Sequence, residues 1–175
     1  INLNVTIPRV LISYKFNIEN IELDKRTLNN FIGIYSDLKF GSVSEFTEQM
    51  KKEGLITKNI DFCTVRTDKH LLLIIDAETE QQNELLKRIE SELEKKDFSK
   101  TDFDRKKKTA LSSCIYMTDS IYSLNSFVMN SLILDKSIDY NIYKHYKELD
   151  YDSFLKFVEK LDFSNNSILY VNKSL

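Results

Sequence analysis

The chain has 175 residues, 42% of them hydrophobic and 30% charged, which is enough for one sizeable core in one large domain or two small ones. Its 25 basic and 27 acidic residues leave a formal net charge of -2, so no global electrostatic pull exists toward nucleic acid or an anionic membrane. No apolar run approaches the ~20 residues needed to span a bilayer, and two cysteines are too few for a disulfide framework, so Cys63 and Cys114 read as buried free thiols.

The first element is a half-buried strand, Arg9 to Phe16, in which Val10, Ile12, Tyr14 and Phe16 alternate with Leu11, Ser13 and Lys15. Asp24 then caps a helix carrying Leu28, Phe31, Ile32, Tyr35 and Leu38 on one side, with Leu23 and Leu28 spaced as a hydrophobic staple. A short helix follows between Gly41 and Gly54. Ser42 with Glu45 has the spacing of a capping box at its start, and Val43, Phe46 and Met50 share a face. Gly54 supplies the left-handed residue that ends it, with Leu55 folding back on Met50.

Two strands, Ile60 to Thr67 and His70 to Ala77, meet at a turn over Asp68 and Lys69. The second is continuously apolar, as expected of a strand paired on both edges or covered on both faces. Thr79 with Gln82 opens a helix whose Leu85, Leu86, Ile89 and Leu93 face inward. Ser99 caps the next helix, which runs to about Met117, and further helices span Ser120–Leu134, Asn141–Lys147 and Tyr151–Leu161 before a last strand at Ser167–Val171. The whole reads as a single α+β domain over residues 1–175. It has two layers, one mainly antiparallel sheet with helices packed on one face, in the order β-α-α-β-β-α-α-β.

Phe40-Gly41-x-x-Ser44-x-Phe46, Met50-Lys-Lys-Glu-Gly-Leu-Ile56 and the block Phe103-Asp-Arg-Lys-Lys-Lys108 followed by Asp119-Ser120 are similar to the C-terminal half of insulinase-like (pitrilysin-type, inverzincin) zinc metallopeptidases, in particular a bacterial subgroup. The likeness runs from about Pro8 to Asn172. It implies a non-catalytic domain that forms one wall of a peptide-binding chamber, in the cytoplasm, with the catalytic half or a paralogous subunit as partner and peptide as substrate. It equally allows a structural or dimerisation module from a catalytically inactive paralogue. Beginning at Ile1, the chain reads as a piece of something longer.

Zinc hydrolysis needs three protein ligands, a water and a nearby carboxylate. The family signature His-x-x-Glu-His places two histidines on one helix face. Here His70 and His145 fall in different elements, so zinc is expected in the parent chain and no metal or other cofactor in this one. Nor do three glycines supply a phosphate-cradling loop. The basic run Arg105–Lys108 points around its helix and reads as a solvated surface. The tyrosines at 116, 122, 140, 143, 146 and 151 read as helix-packing residues with wet hydroxyls.

Active relatives in the family carry an Arg and a Tyr seven residues apart beside the substrate carbonyl. Lys51 stands near the first position and Thr57 near the second, one residue closer, so direct catalytic assistance from them is not implied: lysine lacks the bidentate fork and threonine the phenol. Lys51, Lys52 and Ile56, with Thr57 beside them, are instead the expected surface facing substrate or the partner half.

Overall fold

The computed structural model describes all residues but 4, 20, 139 and 175. Among the described residues five strands and seven helices follow one another: β1 (Asn2–Leu3), β2 (Arg9–Asn17), α1 (Lys25–Phe40), α2 (Glu45–Lys52), β3 (Asp61–Arg66), β4 (His70–Glu78), α3 (Gln82–Glu94), α4 (Lys100–Thr118), α5 (Ile121–Asp135), α6 (Ile142–Glu148), α7 (Tyr151–Glu159) and β5 (Asn166–Lys173). The strands form one sheet in the order β1-β5-β2-β4-β3. Only the β1–β5 pair is parallel. The two-residue β1 carries too little pattern to be read from sequence.

The period-two reading of β2 holds, because Val10, Ile12, Tyr14 and Phe16 all point into the core. In register, Ile12 lies between Ile75 of β4 and Ile168 of β5. The continuously apolar β4 is central because it is paired on both edges, to β2 and β3. Its burial still alternates, with Leu71, Leu73, Ile75 and Ala77 sealed while Leu72 and Ile74 are half-buried. One face of the sheet is therefore packed and the other is half open.

Against the packed face, Asp24 caps α1 by accepting from the N–H groups of Arg26 and Thr27. This sets Leu28, Phe31, Ile32 and Tyr35 inward. The rings of Phe31, Phe98, Phe103 and Phe154 then pack in edge and tilted contacts with centroids 5.0–5.7 Å apart, joining α1, α4 and α7.

The short helix starts later than its sequence suggested. Its cap is Ser44, whose hydroxyl accepts from Thr47 N–H at 3.1 Å, and not Ser42. Gly41 causes the shift: its N–H bonds Asp37 O and its own carbonyl accepts from Ser44 N–H, so Ser42 and Val43 lie in a turn and Val43 is exposed. A Cβ on Gly41 would collide with Asp37 O. The far end behaves as read. Gly54 has φ +70°, Gly54 N–H bonds Lys51 O at 3.0 Å and Leu55 N–H bonds Met50 O at 2.9 Å, which is the Schellman pattern.

A Cβ at Gly54 would meet nothing within 4 Å, so its replacement tests the backbone alone. Gly54→Val is expected to lower stability by about 1–2 kcal/mol through left-handed strain. An unchanged thermal melt would overturn this.

Other local expectations change too. Thr79 lies outside α3 and accepts from Gln81 N–H, and α3 begins at Gln82 without a side-chain cap. Cys63 is exposed on β3, whereas Cys114 is buried, and both are free. The basic run is not wholly solvated: Lys106 is buried and pairs with Asp37 at 2.7 Å, while Lys107 donates to Leu149 O. Of the six tyrosines, Tyr116, Tyr122, Tyr140 and Tyr143 are exposed rather than packed.

Candidate functional site

The end of α2 and the turn after it present Lys52, Thr57, Lys58 and Asn59 to solvent, with Lys51 half-buried. Lys51 Nζ lies 3.3 Å from Glu48, and Lys58 Nζ lies 2.9 Å from Glu78. Ile56 does not join this surface. It is 3% exposed, because the Schellman turn folds both Leu55 and Ile56 under the helix into the core. The sequence showed two apolar residues in a turn but not the direction in which the reversal would send them. Of the four residues singled out, Lys51, Lys52 and Thr57 are left at the surface, a polar rim with no nucleophile held against a base.

A second concavity, absent from the sequence reading, lies between the free edge of β3, α1, α5 and α6, with a volume of about 520 Å³. Thr64, Val65 and Arg66 form one wall, and Phe127, Ile133 and Leu134 another. Asp135, at the end of α5, accepts from Arg66 Nη2 at 2.6 Å and from Arg26 Nε at 3.5 Å. The Arg66 side chain is only 5% exposed, and among the described residues its Nε meets no acceptor. Buried charge of this kind holds elements in place more than it does chemistry: one carboxylate ties β3, α1 and the end of α5 together. The signal was present as three ionic residues scattered over a hundred positions, and periodicity says nothing about such a meeting.

His70 begins β4 opposite Asn17, and His145 sits on α6 beside the cleft. Among the described residues no group of three or more His, Cys, Asp or Glu side chains is placed to hold a metal. The described donors therefore do not fit a zinc centre. Burial pushes the Cys114 thiol up, away from the thiolate that a nucleophile requires. Burial likewise raises the hydroxyl of Tyr146.

The fold itself has clear counterparts among solved structures. A protein of Alicyclobacillus acidocaldarius described as an M16-like peptidase matches 99% of this chain with a TM-score of 0.83 at 17% identity. The chain has the fold of one half of an M16 peptidase. An M16 peptidase inactive domain from Pseudomonas fluorescens matches 100% of this chain with a TM-score of 0.70 at 12% identity. The ferredoxin protease FusC, solved as a point mutant in complex with Arabidopsis ferredoxin, matches 99% with a TM-score of 0.73 at 10% identity. The chain spans 42%, 43% and 20% of those three proteins. No protein-family model and no curated protein matches it. Among its described residues no helix is long and apolar enough to cross a membrane.

Proposed function

We propose that residues 1–175 are one non-catalytic domain of an insulinase-like zinc metallopeptidase, a wall of the peptide-binding chamber whose zinc and general base belong to the other half. The observation that carries this reading is the M16 half fold over 99% of the chain, in a sequence whose described histidines and carboxylates form no metal cage. A wall domain needs rigidity and a shaped inner surface rather than reactive groups, and the aromatic layer under α1, α4 and α7 supplies the rigidity.

In this reading Lys51, Lys52 and Thr57 face peptide or the catalytic half across the chamber. Closure over an extended peptide excludes water and limits substrate size. FusC, solved with a ferredoxin, gives the fold a precedent for a protein bound by the complete enzyme. The substrate here is accordingly peptide or protein, and the setting is the cytoplasm.

The test compares the isolated chain with its parent protein. Chelator-free residues 1–175 are expected to hold no stoichiometric zinc and to leave a fluorogenic peptide uncut, while the parent holds one zinc per chain and loses turnover with a chelator. One zinc tightly held by the isolated chain overturns the reading. So does a parent without zinc or turnover, which favours a structural module from an inactive paralogue.

A further inference from the structure

β3 is an edge of the sheet, hydrogen-bonded to β4 alone. Which of its main-chain groups are spent on β4 follows from the hairpin. Thr67 N–H donates to His70 O at 2.8 Å, so these two residues form a hydrogen-bonded pair. Such pairs alternate along an antiparallel ladder. With Val65 opposite Leu72, Cys63 opposite Ile74 and Asp61 opposite Asp76, those three β3 residues bond β4. Phe62, Thr64 and Arg66 therefore turn their N–H and C=O groups to the free edge. Among the described residues none of these groups meets a backbone partner.

An unpaired edge is normally blunted by shortness, proline, lysine or a bulge. The opposite edge of this sheet is blunted, since β1 has two residues. β3 runs six residues in unbroken register, DFCTVR, with no bulge, proline or lysine. Its one basic residue, Arg66, is turned inward onto Asp135 at 2.6 Å, so that charge is met inside the protein.

The edge also opens on space. The cleft of about 520 Å³ is walled on one side by Thr64 and Arg66, two of the three residues with outward main-chain groups. Phe127, Ile133 and Leu134 of α5 wall the other side. The volume lies within the ordinary range of a ligand pocket, ~300–1,000 Å³. Outward groups recur at every second residue, about 6.8 Å apart along a line. A compact small molecule meets one such set, whereas an extended backbone repeats at the same spacing and meets all three.

We propose that the free edge of β3 takes an extended peptide as an added strand, with an apolar side chain of that peptide seated against Phe127, Ile133 and Leu134. Main-chain hydrogen bonds supply the affinity and the cleft supplies the side-chain preference. The proposal rests on the chamber-wall reading for its occupant, the substrate, and names the surface of this domain that holds it. It favours unfolded segments, because a strand already paired inside a folded protein has no free main-chain groups to offer.

The probe is the fluorescein-labelled peptide Lys-Thr-Leu-Thr-Leu-Thr-Lys, read by fluorescence anisotropy against the 175-residue chain. Two further peptides keep its side chains but carry N-methyl groups, one on its threonines and the other on its leucines. An added strand turns one row of N–H groups to β3 and the other to solvent. One methylated peptide is therefore expected to lose about tenfold or more in affinity, while the other binds like the unmethylated one. Thr64→Pro is expected to weaken the unmethylated peptide by a similar factor with circular dichroism unchanged, because Thr64 N–H lies outside the β4 ladder. The two methylated peptides decide the matter alone should Thr64→Pro disturb folding. No binding of the unmethylated peptide overturns the proposal, as does an equal effect of the two methylations. A folded Thr64→Pro chain that binds as well as the unmodified one also overturns it. So does a dimer of the chain that Thr64→Pro abolishes, because the β3 of a second copy then occupies the edge. No outcome reads turnover, so a parent without zinc counts against the chamber-wall reading and leaves the peptide site standing.

Discussion

Phe154→Ala is expected to cost about 4 kcal/mol, the middle of the range for a large aromatic removed from a core. Phe154 is fully buried in α7, and its ring meets those of Phe31 at 5.7 Å, Phe98 at 5.4 Å and Phe103 at 5.0 Å. The three partners come from α1, from the stretch before α4 and from α4 itself, so the vacated space opens where separate elements converge. Those neighbours are themselves fixed by the sheet and cannot all move inward, so collapse is incomplete and the cavity term survives. Aromatic pairs add roughly 0.5–1.5 kcal/mol each beyond the area buried. Against a total stability of about 5–15 kcal/mol, the loss leaves the domain marginal. Urea unfolding of the variant beside Phe154→Leu measures it. A Phe154→Ala midpoint within error of the parent's would show that the helical layer is not anchored on this ring.

How far the sequence reveals the domain depends on the range of the forces involved. β2 and α1 were legible because each writes its own burial pattern within a few residues: alternation at Val10, Ile12, Tyr14 and Phe16, and helical spacing at Leu28, Phe31, Ile32 and Tyr35. Gly54 was legible for the same reason, since a left-handed residue is a local demand. Ser42 misled because two serines compete for one cap, and the choice is made by the Gly41 turn, whose close approach to Asp37 is tertiary geometry. Ile56 misled in the same way, because composition does not give the direction of a chain reversal. Tyr116, Tyr122, Tyr140 and Tyr143 were read as helix-packing residues with wet hydroxyls. Their exposure was visible only once the rest of the chain had been placed and had left that face uncovered.

The Arg66–Asp135 contact was out of reach of any local pattern, and it carries the second large expected effect. Asp135→Ala should cost about 2–3 kcal/mol, less than the ~3–5 kcal/mol of a fully buried ion pair, because Asp135 is only part-buried beside the cleft. Arg66 sits on the edge strand with its side chain 5% exposed, and its described acceptor is Asp135, at 2.6 Å. Taking that carboxylate away leaves a guanidinium in a low-dielectric site, where the cost of desolvation is no longer offset. Among the described residues its Nε is already without an acceptor, so Arg66 has little reserve of other bonds there. The same loss releases the C-terminal end of α5 from β3 and from Arg26 of α1, where the distance is 3.5 Å. Replacing both partners, Arg66→Met with Asp135→Leu, should recover most of the stability, because apolar groups of similar size suit a largely buried site better than half of an ion pair. Urea denaturation of the two single variants and the double variant gives the coupling directly. If Asp135→Ala lies within about 0.5 kcal/mol of the parent, the pair behaves as an ordinary surface contact. The attachment of α5 would then have to come from Ser131 and its apolar neighbours.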